Sequence, residues 1–313
     1  MSQSSTPARL LRIGSRGSPL ALIQARQAQT ALAKACGFAP EAIEIKVIRT
    51  SGDTIQDRPL ADAGGKGLFT KEIEEALLSG AIDFAVHSSK DIPAVLPAGL
   101  VLAGFLPRED PRDALVSRMA RTVRELTRNA RVGTSSPRRQ ALLKRARPDL
   151  RIVPLRGNVE TRLRKIEADE MDAAVLAVAG LKRLGLLSAT ATALAVEEFL
   201  PAVGQGAIAI ETRADDANAV AFAAAVNHAE TAVAIAAERA FLAALGGSCR
   251  TPIAGHARLD GDTVKFQGLV AKPDGSDAIE VSRQGRRDDA AALGADAGQE
   301  IKKRAGADFF VED

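Results

Sequence analysis

The chain has 313 residues, 46% of them hydrophobic and 26% charged, which is enough for two or three cored domains and excludes wholesale disorder or a fibrous repeat. Its net charge of +3 hides 30 Arg against 12 Lys, and residues 108–165 alone carry 17 basic and six acidic side chains. Two Cys and three scattered His exclude a disulfide scaffold and a structural zinc cluster.

The opening MSQSSTPARLLRIGSRGSP has no apolar core of signal-peptide length, so a soluble cytoplasmic chain without membrane spans is expected. LLRIGS at 10–15 reads as a strand, and Pro19–Ala35 as a helix capped by Ser18 with Pro19 in its first position. IEIKVIRT alternates like a strand, Gly67–Leu78 has helical spacing, and IDFAVHS reads as another strand before the Pro93, Pro97 and Gly99 turns. A similar cycle restarts near residue 107: strands at DALVS, ARVGTSS and RIVPL, helices at PRRQALLKRA and NVETRLRKI, and a strand at MDAAVLAVAGL. Residues 197–213 read as a Pro/Gly-rich turn and a strand that crosses between domains. Ala219–Leu245 is helix-forming with a break near Asn227-His228 and a stop at Gly246-Gly247. Two strands joined at Pro-Asp-Gly-Ser and a helix around 288–304 complete a small α+β domain.

Two clusters stand at predicted strand ends, where open α/β domains bind ligands, and a third sits on a loop after a helix stop. In GTSSPRRQ, Ser135 or Ser136 caps a helix that also carries Arg138 and Arg139, a pattern suited to a phosphate or a carboxylate. Arg156 and Arg162 in RGNVETR and Arg183 in LKRLG add cations at similar positions, so a polyanion is expected. Without Trp or Tyr to stack bases and without a nucleic-acid module, a multiply carboxylated small molecule fits better than nucleic acid. VHSSKDIP sets Lys90 beside Asp91, a carboxylate capable of acid–base work, with Arg16, Ser18 and Lys66 as the matching earlier positive site. Leu68 stands where a P-loop needs a hydroxyl, so ATP or GTP use is not indicated. Cys249 sits on a loop among Gly, Ser and Arg250, conditions that favour a thiolate, whereas Cys36 ends a helix and reads as a small hydrophobe.

The ordered segments RIGSRGSPLALIQ, GGKGLFTKEIE, VHSSKDIP, VGTSSPRRQ, LRGNVETRL, AVAGLKRLG, LPAVGQG and the cysteine loop resemble the porphobilinogen deaminase (hydroxymethylbilane synthase) family. The resemblance implies an α/β fold of two periplasmic-binding-protein-like lobes plus a small α+β C-terminal domain, here at 1–106 with 204–222, 107–203 and 223–313. It implies a dipyrromethane cofactor attached through Cys249 and the joining of four porphobilinogen molecules with loss of four ammonia, with no metal. Asp91 and Lys90 are then the expected catalytic pair, with Ser135, Arg138, Arg139 and Arg156 also on the cofactor. Arg16, Ser18, Lys66, Arg156, Arg162 and Arg183 are expected on the substrate, in a monomer that hands its product to the next tetrapyrrole enzyme. Ile55–Lys66 reads as a flexible lid. Ser248, Arg250, Thr251 and Pro137 depart from the family's usual residues without removing a necessary group. The rival reading is a non-catalytic anion-binding module, which has no need of a loop cysteine.

Overall fold

The computed structural model describes residues 10–54, 67–247, 251–306 and 309. Along the chain come β1 (Leu11–Ser15), α1 (Pro19–Cys36), β2 (Ile43–Val47), the single turn α2 (Ser51–Thr54), α3 (Lys71–Leu78), β3 (Phe84–Ser88) and β4 (Leu100–Phe105). Next are β5 (Asp113–Ser117), β6 (Arg131–Gly133), α4 (Pro137–Ala146), β7 (Arg151–Val153), α5 (Val159–Glu167), β8 (Ala173–Ala177), α6 (Val178–Arg183) and β9 (Ala191–Ala193). The last elements are β10 (Ile208–Arg213), α7 (Ala217–Ala225), α8 (Ala229–Ala244), β11 (Ile253–Asp260), β12 (Thr263–Ala271), β13 (Ala278–Arg286) and α9 (Ala290–Ala305). The chain divides into two compact units, residues 1–109 with 207–232 and residues 110–206 with 233–313.

The sheet of the first unit has the order β2-β1-β3-β10-β4, with β1 parallel to β2 and β3, and β10 antiparallel to both its neighbours. Period-two alternation along β3 sends Phe84 and Val86 to one face, where Ala25, Ala28 and Leu32 of α1 cover them. Ala85 points the other way, into a core made with Ile73 and Leu77 of α3. α1 starts where the sequence predicts: Ser18 is extended, its hydroxyl accepts the Ala21 N–H at 3.3 Å, and Pro19 follows.

The second unit repeats this layout as β7-β6-β8-β5-β9, three parallel strands followed by an antiparallel one. It also holds the antiparallel sheet β11-β12-β13. Ala254, Leu269 and Ala271 of that sheet share a core with Leu115, Leu143 and Phe199, while Phe241, Phe266 and Ile301 form a core of their own. The chain is thus α/β in two mixed sheets with an added α+β part.

Several boundaries differ from the sequence reading. α3 begins at Lys71 and not at Gly67, because Gly67 has φ +81° and its carbonyl closes a turn onto the Thr70 and Lys71 N–H groups. The strand expected over MDAAVLAVAGL stops at Ala177, and Val178–Arg183 is helical. A third C-terminal strand, β11, precedes the two predicted; Gly255 and His256 interrupt the apolar alternation that would have marked it. The lid segment Ile55–Lys66 lies outside the described residues, as do Lys66 itself and Ser248–Arg250 with Cys249. Among the described residues no single helix is long and apolar enough to cross a membrane.

Candidate active site

The parallel register Ile13↔Phe84 and Gly14↔Ala85 sets the C-terminal ends of β1 and β3 side by side. Arg16 and Ser18 leave β1 there, and the short 3-10 turn Ser89–Asp91 leaves β3. They meet around a small cavity of about 60 Å³, whose wall includes Arg16, Ser18, Gln24, Phe69, His87 and Asp91. Lys90, on the same turn, is exposed. Two predicted groups from the first motif and one from the second are therefore brought together.

Arg16 is already engaged. Its Nε lies 3.1 and 3.2 Å from the two Asp53 oxygens, a second nitrogen also binds that carboxylate, and its guanidinium carbon stands 4.1 Å from the centre of the Phe69 ring. Burial pushes the Asp53 carboxyl up, but hydrogen bonds from Arg16 and Thr50 and the Arg16 charge outweigh it and hold the group below its ordinary value. Gly52 permits this arrangement, since a Cβ there would fall 2.4 Å from the Phe69 ring and 2.8 Å from the Leu68 carbonyl. Gln24 is nearly fully buried and exchanges hydrogen bonds of 2.8 and 3.1 Å with Ser88. Asp53, Phe69, Gln24 and Ser88 were not singled out from sequence. Phe69 and Gln24 lie inside the motif segments, and Asp53 follows the predicted strand IEIKVIRT by three residues, a strand-end acid that was there to be noticed.

The second unit places its candidates at the C-terminal ends of β6, β7 and β8. Ser136, rather than Ser135, caps α4, accepting the Arg139 N–H at 3.4 Å. Ser135 instead ties the strand ends together, its hydroxyl donating to the Leu155 carbonyl and accepting from the Leu155 N–H, both at 3.1 Å. Arg138 and Arg139 turn inward to Asp113: Arg138 reaches one oxygen at 2.7 Å, and Arg139 binds the other through Nε at 3.0 Å and Nη2 at 2.7 Å. Arg138 also donates to the Leu200 carbonyl and Arg139 to that of Val175, while Gln205 is a third residue donating to Asp113. Burial pulls the Arg138 guanidinium below its ordinary range, with the Asp113 charge opposing and that of Arg139 adding to the shift. One carboxylate faces two guanidiniums, so the trio keeps one net positive charge in a dry setting. Its Arg138 Nε is buried without a hydrogen-bond partner among the described residues. Arg162 donates to the Gly157 carbonyl and Arg183 to that of Gly206, and Arg156 is half-buried.

Much of the basic excess lies elsewhere. Arg131 and Arg151 open β6 and β7, at the end opposite Ser135 and Arg156. Arg118 pairs with Asp169, Arg131 with Asp172 and Arg147 with Asp149. Local charge density along the sequence therefore overstates the cations available at the strand ends.

Two family models match the chain: "Porphobilinogen deaminase, dipyromethane cofactor binding domain" over residues 11–221 and "Porphobilinogen deaminase, C-terminal domain" over residues 232–303. The chain belongs to the porphobilinogen deaminase family. Similar family members include the porphobilinogen deaminases of Nitrobacter winogradskyi, 60% identical over 96% of each chain, and of Paracoccus denitrificans, 51% identical over 99% of each. The chain is an enzyme of tetrapyrrole synthesis in this family, and the family carries a dipyrromethane cofactor. Among solved structures, it is similar to the second substrate binding domain of a putative amino acid ABC transporter from Streptococcus pneumoniae, 13% identical over 76% of this chain and 95% of that one, with a TM-score of 0.44. That likeness is too slight to bear on function.

Proposed function

We propose that the chain joins four porphobilinogen molecules head to tail on a dipyrromethane primer attached through Cys249, releasing four ammonia, and that one water then breaks the bond to the primer and supplies the hydroxyl of the linear hydroxymethylbilane set free. The observation that carries this reading is the Asp91 carboxylate at the wall of a cavity shared with Arg16 and Ser18, in a family member matched along nearly its whole length.

The residues present fit an acidic, pyrrole-bearing cofactor: an exposed Lys90, a surplus positive charge at Arg138–Arg139–Asp113 and an orphaned Arg138 Nε suit carboxylates, and Asp91 suits pyrrole N–H groups. Lys90, Asp91, Ser135, Arg138, Arg139 and Arg156 would hold it, with Cys249 as the anchor. When bound, the group supplies the free pyrrole α-carbon from which growth starts. Each addition breaks the aminomethyl C–N bond of one porphobilinogen, forms a C–C bond and removes an α-proton, with nitrogen leaving as ammonia. Protonated Asp91 gives its proton to the departing nitrogen, its carboxylate steadies positive charge on the substrate pyrrole, and it then takes the displaced α-proton. Arg16, Ser18, Arg162, Arg183 and Lys66 register the substrate's acetate and propionate groups, which is a proximity effect as much as a charge effect.

On this reading the enzyme works as a cytoplasmic monomer with functional domains at 1–106 with 204–222, 107–203 and 223–313, and passes its product to the next enzyme. Intact-protein mass spectrometry tests the reading. A two-pyrrole increment present in the parent and lost in Cys249→Ser, together with one ammonia per porphobilinogen consumed, is expected. An unmodified parent chain that binds anions without consuming porphobilinogen would instead make it a binding module.

A further inference from the structure

On the face of β3 that α3 covers, just before the Lys90–Asp91 turn, three titratable side chains meet with no neutralising Arg or Lys among the described residues. His87 of β3 is 5% exposed, Glu211 of β10 is 0% and Glu74 of α3 is 6%. The His87 Nε2 lies 3.2 Å from a Glu211 oxygen, within ion-pair range, yet that nitrogen and both Glu211 oxygens lack a formed hydrogen bond among the described residues.

Two carboxylates and one imidazole leave surplus negative charge in a dry interior unless protons are retained. Burial pushes the Glu74 carboxyl up and the Glu211 charge adds to that, while Thr70 and His87 oppose. The other charged groups on the packed elements are engaged elsewhere. On α3, Lys71 pairs with Glu75, and Glu72 accepts from Ser51. On β10, Arg213 donates to the Leu77 and Ile82 carbonyls and to Asp216, and on β1 Arg12 binds Asp83. His87 is the member of the trio that also lines the cavity containing Asp91.

We propose that His87, backed by Glu211 and Glu74, is a positioning residue for the reaction proposed above, setting the proton balance of the cavity wall that it shares with Asp91. The inference rests on that reaction, but its physical core can be measured without it. The cluster holds a proton where the carboxylate on the neighbouring turn must gain one and lose one in each cycle. It therefore governs turnover and its dependence on pH more than substrate capture.

The test uses the cofactor-bearing full chain and Glu211→Gln, which keeps shape and removes charge. Turnover should fall about tenfold with KM changed by less than about threefold, and the limb of the kcat–pH profile should move. Glu74→Gln should move that limb less, because it replaces a carboxyl that burial already favours in its neutral form. A Glu211→Gln enzyme that keeps its cofactor mass and melting temperature and shows the parent's kcat and pH profile overturns the inference. Should Glu211→Gln fail to fold, Glu211→Asp keeps the charge but withdraws it from the imidazole, and the same two results decide. Should the parent consume no porphobilinogen, the reaction has failed and the cluster is judged by NMR titration of its imidazole. The chain has only three His, so His87→Asn assigns the resonance. A His87 titration shifted by Glu211→Gln supports the cluster, and an unmoved one overturns it.

Discussion

The two mixed sheets place arginines in matching positions and use them in opposite ways. Arg16, past the end of β1, holds Asp53 with both side chains about one quarter exposed, beside a cavity and against the face of Phe69. Arg138 and Arg139, in the first turn of the helix after β6, close on a fully buried Asp113 and on two backbone carbonyls. A wet pair can exchange its carboxylate for that of a ligand at small cost, whereas a dry one keeps its internal carboxylate and offers a ligand only its surplus charge. Arginine at a strand end is thus not in itself a binding residue; the environment of its partner decides.

The largest effect is expected at Asp113. Asp113→Ala strands two buried guanidiniums and should cost about 3–5 kcal/mol of stability in denaturant unfolding. A loss below about 1 kcal/mol would mean that the trio is not structural. A smaller effect is expected from Gly52→Ala, which crowds the Phe69 ring and the Leu68 carbonyl. We expect about 1–3 kcal/mol of destabilisation, with a raised KM because the ring no longer backs Arg16. An unchanged KM would separate Phe69 from substrate binding.

The smallest effect belongs to Asp53→Asn, at under about 1 kcal/mol near neutral pH. Because the folded-state value of Asp53 lies below the ordinary one, its contribution is fully present above about pH 4 and fades as pH falls through the lower folded value. Between about pH 5 and 2 the parent should therefore lose more stability than the variant, an excess that parallel unfolding curves measure. Equal losses would show that the Arg16 pair does not stabilise the fold.

The local grammar of this chain was legible. Ser18 and Pro19 announce α1, Pro137 opens α4, and the break near Asn227-His228 falls between α7 and α8. The strand-end placement of Arg16, Ser135, Arg156 and Asp91 was legible too, because it follows from element order alone. What escaped depends on register between distant segments. Asp113 reads as the first residue of an apolar strand, and nothing nearby announces that β5 will bring it against α4 and absorb both arginines. His87 and Glu211 are 124 residues apart in the numbering and meet because β10 returns antiparallel to β3. The charge run of 108–165 misled for the same reason, since Asp169 and Asp172, which neutralise Arg118 and Arg131, lie beyond it.

Turnover set against binding in Asp91→Glu tests whether the Asp91 carboxylate carries the proton in each addition. The longer side chain keeps the charge but displaces the carboxylate by about one methylene, a small error that positioned acid–base chemistry does not tolerate. Asp91→Glu should retain its cofactor mass and bind porphobilinogen but lose most of its turnover. Near-normal turnover in Asp91→Glu would contradict that role.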